Sequence, residues 1–213
     1  MSRQTIVGIG GFPDAALVDY VLGFAGGRRV LVDGTATPGY DGPPLDLPAD
    51  FTHFSFWPWP PENLRELALT HDAILVCGGN TASLLAVWRV HGFDRILREA
   101  WESGVVLFGW SAGMSCWFEA GVTDSFGPQL EGMRDGLGFL PGSACPHYDG
   151  EDLRRPRFTS LVADGFPVGL ALDDAAAARF EGTELVEVVV TDPAAGGYRV
   201  GPDGEEQLEA RLL

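Results

Sequence analysis

Between residues 4 and 110 the chain alternates short runs that are apolar throughout with longer stretches whose apolar residues recur at helical spacing. The runs QTIVGIG (4–10), RRVLVDG (28–34), DAILVCGG (72–79) and GVVLFG (104–109) predict strands, and DFTHFSFWPWP (50–60) predicts one as far as its prolines. DAALVDYVLGFAG (14–26) predicts a helix closing at Gly26-Gly27. PENLRELALTH (61–71) predicts a helix with Pro61 near its first turn, and TASLLAVWRVHGFDRILREAWESG (81–104) one or two helices. A Pro/Gly loop follows residue 34. Strands that are apolar on both faces belong to parallel sheets covered by helices on each side. The expected fold class is therefore α/β: a doubly wound, mostly parallel sheet flanked by helices, with sites at the carboxyl ends of its strands. After residue 180, TELVEVVV, GGYRVG and EQLEARLL predict a C-terminal β-ribbon extension at one sheet edge. With no linker, repeat or low-complexity segment in view, residues 1–213 are expected to form a single domain.

Composition narrows the function. No apolar run approaches the ~20 residues of a membrane span. The N-terminus, MSRQTIVGIGGF, enters a strand-like run at once, without a signal peptide, so the expected setting is cytoplasmic with no membrane partner. The net charge is −16, from 14 basic and 30 acidic residues. Nucleic acid and anionic lipid are repelled by such a chain, because affinity for either is built on phosphate neutralisation. An anionic small substrate would need a local basic patch. Cys77, Cys116 and Cys145 are scattered and form no C-x-x-C or Cys/His cluster, so buried thiols are expected and neither a disulfide framework nor a metal.

The segment GVVLFGWSAGMSCWFEAG (104–121) carries the candidate chemistry. Gly109-Trp110-Ser111-Ala112-Gly113 matches G-x-S-x-G, with a strand before it and an amphipathic helix expected after it. A helix cap would explain the serine but not the flanking glycines, which give a strained nucleophile room. Ser111 is the candidate nucleophile, with the N–H of Ala112 placed to donate to a developing oxyanion. Ser115, one turn on, reads as packing.

Of the four histidines, only His147 follows the elbow, in the loop-like SACPHYDGED. His53 lies in an aromatic strand, and His71 and His91 near helix ends, where structural roles are expected. The carboxylate that would orient His147 has several candidates: Asp124, Asp149, and the pair Asp173-Asp174 at the end of the apolar run PVGLAL. Neighbours on an extended chain face opposite ways, so only one of that pair can meet His147. The order Ser…His…Asp argues against an α/β-hydrolase esterase.

The sequence resembles the peptidase E family of serine peptidases, which includes aspartyl dipeptidase and cyanophycinase. The resemblance runs from about residue 5 to about 190 and rests on AILVCGGNT (73–81), GWSAGM (109–114), PHYDGEDLRRPRF (146–158) and GLALDDAAA (169–177). It implies a class I glutamine amidotransferase-like fold, a cytoplasmic hydrolase and no cofactor. It implies a second oxyanion donor from Gly79 or its neighbour Gly78, with Asn80 beside the substrate. The triad acid it implies falls at Asp174, where the family usually has glutamate. The shorter arm requires the backbone to move in, or Asp173 or Asp149 to serve instead. Members cut after an N-terminal aspartate in short peptides or cut aspartate–arginine chains, and a substrate carboxylate calls for arginine. Arg154, Arg155 and Arg157 form the densest basic cluster in the chain. The plainer account pairs them with Asp149, Glu151 and Asp152 on a solvated surface. Pro156 is expected to keep Arg155 and Arg157 extended.

The expected function is a serine exopeptidase acting on short peptides, dipeptides with N-terminal aspartate above all. The alternatives are a same-fold hydrolase of another amide or ester, and an amidotransferase-like binding module in which Ser111 is only a cap. A nucleotide-binding reading of GIGGFPDA (8–15) fails on spacing, because Pro13 stands where a third glycine belongs. Trp57 and Trp59 in FWPWP mark either a core corner or an interface, and a homodimer is the assembly the second would make.

Overall fold

A computed structural model describes residues 4–37, 39 and 49–213. Much of the Pro/Gly loop expected after residue 34 lies outside the described residues. The chain opens with β1 (Thr5–Ile9), α1 (Ala15–Leu22), β2 (Arg29–Asp33), β3 (Asp50–Phe54), α2 (Leu64–Thr70) and β4 (Ala73–Val76). It continues with α3 (Thr81–His91), α4 (Phe93–Glu102), β5 (Val106–Trp110), α5 (Ala112–Ser115), β6 (Phe118–Thr123), β7 (Glu131–Met133) and β8 (Leu140–Cys145). Then come α6 (Arg154–Ala163), β9 (Gly169–Leu172), β10 (Ala176–Glu181), β11 (Glu184–Val190), β12 (Gly197–Gly201), β13 (Gly204–Gln207) and β14 (Ala210–Leu212).

The main sheet has eight strands in the order β14-β11-β10-β1-β5-β4-β2-β3. Its half from β1 to β3 is parallel throughout, and the wholly buried β1, β4 and β5 are the continuous apolar runs of the sequence. One face is covered by α1 through Leu17, Val18 and Val21. The other packs on a larger core with Trp88, Phe93, Leu97, Trp101 and Trp117. That core also takes in Leu140, Ala144, Leu170 and Leu172 of a second, six-stranded sheet ordered β13-β12-β9-β8-β6-β7. The outer face of the second sheet is closed by Phe158 and Val162 of α6. The α/β class with a mostly parallel, helix-flanked sheet is thus observed.

Several local expectations need correction. α1 ends at Leu22, with Gly23 as its cap, rather than at Gly26-Gly27. Its carbonyls are then used in tight i to i+3 bonds from Phe24 and Ala25. The 81–104 stretch, expected as one or two helices, is two, separated by Gly92 at φ 70°. Only glycine takes that left-handed turn without strain. The helix after the elbow is four residues long and gives way to β6. DLRRPRF does not stay extended: Pro156 sits in the first turn of α6, where its missing N–H has no helical partner to lose. The C-terminal strands do not share one edge. β11 and β14 extend the main sheet, while β12 and β13 border the second.

Candidate active site

Strand ends of both sheets converge. β8 and β9 run parallel with Cys145 opposite Ala171, so the residues that follow them emerge side by side. Gly11, just past β1, donates its N–H to the Asp174 carbonyl at 3.0 Å, which joins that pair of ends to the carboxyl edge of the main sheet.

At the end of β5, Ser111 has φ 56° and ψ −113°. A side chain in that region is strained by about 1–3 kcal/mol, so the surroundings must hold it. They do. Its N–H donates to the Ile9 carbonyl at 3.2 Å, and its carbonyl accepts from Met114 and Ser115, each at 3.0 Å. The Ser111 side chain makes no capping hydrogen bond to α5. A Cβ on Gly113 would run into the Val76 carbonyl, and one on Gly109 into the Val76 and Gly113 carbonyls, so the elbow closes only with both glycines. Past β4, Gly78 borders the serine: a Cβ there would stand 3.2 Å from the Ser111 Cβ. Gly79, at φ 134°, turns its open side to Ala36 and Thr37.

His147 follows β8 at φ 53°. Its Nδ1 lies 2.6 Å from Asp174 Oδ1, with the imidazole largely covered and the carboxylate half exposed. With Asp174 ionised, Nδ1 carries the proton and Nε2 is left as an acceptor, the tautomer a general base needs. Asp173, between the end of β9 and the turn that holds Asp174, points the other way: it is 2% exposed, and its Oδ2 accepts the Gly196 N–H at 2.7 Å. Burial, foremost, and the charge of Asp149 push the Asp173 carboxyl above its ordinary range against the Gly196 hydrogen bond. Asp149 accepts the Asp174 backbone N–H at 2.9 Å. Asp124 follows β6, exposed, and its carbonyl closes a turn to Gly127. Of the four carboxylates considered, the structure brings Asp174 to the imidazole.

A family model described as peptidase family S51 matches residues 45–188. The chain belongs to that family. The S51 chain is 48% identical over 150 residues to the uncharacterized peptidase YgaJ of Bacillus subtilis (strain 168), a match covering 70% of this chain and 64% of the relative. The chain thus spans under two thirds of the length of that curated relative. Two solved structures share the fold. One is a Listeria monocytogenes EGD-e protein provisionally described as peptidase E, with TM-score 0.66 and 16% identity over 98% of this chain and 100% of that one. The other is a peptidase from an acI-B1 actinobacterium, with TM-score 0.63 and 15% identity over 97% and 94% of the two chains. The peptidase E resemblance read from the motifs, and its amidotransferase-like fold, are borne out.

The arginines of the S51 chain are less available than the sequence suggests. Arg154 is buried and paired with Glu151, with Nε to Oε2 at 2.8 Å. Arg155 pairs with Glu205 of β13 and lies over the rings of Tyr148 and Tyr198. That pairing holds the Glu205 carboxyl below its usual range. Arg157 donates its Nε to the Leu130 carbonyl at 2.9 Å and meets no carboxylate among the described residues. Asn80 caps α3, accepting from the Ser83 N–H at 2.8 Å and donating to the Ser125 carbonyl at 3.0 Å. His53 lies on the edge strand β3, His71 contacts the Leu67 carbonyl through Nδ1, and His91 stacks on Phe56. The three cysteines are buried, and burial raises the Cys145 thiol to about 12.

Sequence reasoning missed Asp33. It is fully buried at the end of β2, with its Oδ2 taking the Trp88 indole N–H at 2.6 Å and its Oδ1 the Thr35 N–H at 2.9 Å. Burial outweighs these bonds and raises its carboxyl. A polar residue closing an apolar run was the signal, but the indole that would answer it lies 55 residues away.

Proposed function

We propose that the chain is a serine exopeptidase of short peptides in which Ser111 is the nucleophile, His147 the general base and Asp174 the acid that orients it. The observation that carries this reading is the 2.6 Å bond between His147 and Asp174, made by residues from two adjacent strand ends. Ser111 Oγ attacks the scissile carbonyl carbon as His147 Nε2 takes its proton. The C–N bond then breaks and the proton passes to the leaving amine. Water enters next, gives a proton to His147 and attacks the acyl-enzyme ester, and His147 passes that proton to Ser111 Oγ as the C–O bond breaks. The N–H groups of Ala112, in the first turn of α5, and of Gly79 hold the oxyanion; Gly78, without a side chain, lets the serine approach. The uncapped Ser111 hydroxyl speaks against a serine that serves only α5. The buried thiols suit a reducing cytoplasm.

For substrate we propose dipeptides with N-terminal aspartate, with Arg157 as the cation for the carboxylate and Asn80 at the substrate. A peptidase without aspartate preference is the second reading, favoured by the pairing of Arg154 and Arg155 with Glu151 and Glu205. A panel of X-Leu dipeptides with product identification decides between them. Diisopropyl fluorophosphate is expected to label Ser111 in the wild-type chain, and Ser111→Ala to fold normally while hydrolysing none of the panel. Unchanged turnover by Ser111→Ala would exclude the mechanism.

A further inference from the structure

We infer that Asp149 is a positioning residue for the same site: its carboxylate holds the Asp174 backbone where the short Asp174 side chain can meet the imidazole. The inference rests on the Ser111–His147–Asp174 reading above. Among the described residues, His147 is the sole hydrogen-bond partner of the Asp174 carboxylate, which is 51% exposed. An aspartate places its carboxylate only one carbon from the backbone. Where that oxygen lies is therefore decided by where the Asp174 main chain is held.

Three consecutive residues of the loop after β8 grip the turn after β9. His147 takes the Asp174 side chain, Tyr148 donates its N–H to the Leu172 carbonyl at 3.1 Å, and Asp149 takes the Asp174 N–H at 2.9 Å. From the far side, the Gly11 N–H reaches the Asp174 carbonyl. Both peptide groups flanking the Asp174 Cα are thus tied, one of them by the side chain two residues beyond the base. The carboxylate is also walled in: a Cβ on Gly150 would stand 2.7 Å from Asp174 Oδ2, and one on Gly11 2.6 Å from Oδ1. These walls limit where the carboxylate can swing. The Asp149 clasp couples the loop that carries the imidazole directly to the Asp174 peptide itself, two residues beyond the Tyr148–Leu172 bond that ties the same loop to the end of β9.

The hydrogen bond, not the charge, is the active element, and isosteric replacement separates the two. Asp149→Asn keeps an oxygen at the accepting position; Asp149→Ala removes it. Two readouts are taken on the full chain: kcat and KM for Asp-p-nitroanilide, and the rate of labelling by diisopropyl fluorophosphate, which needs an activated serine but no peptide specificity. Asp149→Ala is expected to lower kcat and the labelling rate about tenfold with KM little changed, matching the loss of one hydrogen bond. Asp149→Asn is expected to restore both. If Asp149→Ala fails to fold, Asp149→Ser, whose hydroxyl falls short of the Asp174 N–H, takes its place. Wild-type rates in the alanine or serine variant would overturn the proposal, as would an asparagine variant no better than alanine. A wild-type chain that is neither labelled nor active would instead sink the serine-peptidase reading, and this one with it.

Discussion

Asp173 is 2% exposed and leaves Oδ1 without a hydrogen-bond partner, whereas the side chain of its neighbour Asp174 is 51% exposed and bonded to His147. Alternation along an extended chain would divide the pair, but here the division is made by a turn past β9, and no alternation says which of the two faces the imidazole. The role of Asp149 was less legible still, since a carboxylate two residues past a histidine suits an imidazole partner and a backbone acceptor equally well. Burial dominates the raised carboxyl of Asp173, and the sign of its effect follows. The unfolded chain ionises Asp173 in the ordinary carboxylate range, while the folded chain resists ionisation until higher pH. Its contribution to stability is therefore lost as pH rises from that range through the raised value. Asp173→Asn cannot ionise. The difference in Tm, variant minus wild type, is expected to become more positive between about pH 4 and about pH 8, as linkage requires. Thermal unfolding at the two pH values checks it, because groups remote from Asp173 titrate alike in both proteins. A pH-independent difference would show that Asp173 is not under that strain.

At the scale of elements, the elbow depends on α5 and β4 touching through backbone. The atom facing a Cβ at Gly113 is the Val76 carbonyl oxygen, which cannot rotate away as a side-chain end could. Gly113→Ala must therefore push α5 off β4, at a cost of about 1–3 kcal/mol for overpacking. Because Met114 and Ser115 donate to the Ser111 carbonyl, the shift also disturbs the serine. The variant is expected to melt lower and to react more slowly with diisopropyl fluorophosphate; native values of both would show that the contact gives easily. The elbow itself was legible because β5 is a buried apolar run ending in two spaced glycines. The brevity of α5 was not. Met114, Ser115, Cys116, Trp117 and Phe118 are all buried, and a stretch buried at every position has no period to tell helix from strand. α6 was hidden by Pro156 and its arginines. The second sheet was hidden because LPGSAC and GLAL pair only with strands remote in sequence, which no local pattern records.

The whole molecule adds a field that no single contact describes. A net charge of −16 repels anions at distances where the separate carboxylates blur together, whereas an arginine contact acts only on arrival. The two effects respond to salt at different ranges. Between ionic strengths of about 0.01 M and about 0.15 M the Debye length shrinks from about 30 Å to about 8 Å, which removes the long-range repulsion while leaving close ion pairs largely intact. Asp-Leu carries one net negative charge at neutral pH, and Asp-Leu-amide carries none, although both present the same aspartate to the site. Over that range of salt, kcat/KM for Asp-Leu is expected to rise severalfold relative to the amide. The amide, which feels little of the field, should change less. Initial rates at low substrate concentration measure the ratio directly. A ratio that falls instead would mean that the charge governing approach is positive, so that cations such as Arg157 dominate the mouth of the site over the acidic surface around it. A flat ratio would mean that the acidic residues are spread too far from the carboxyl ends of the strands to be felt there.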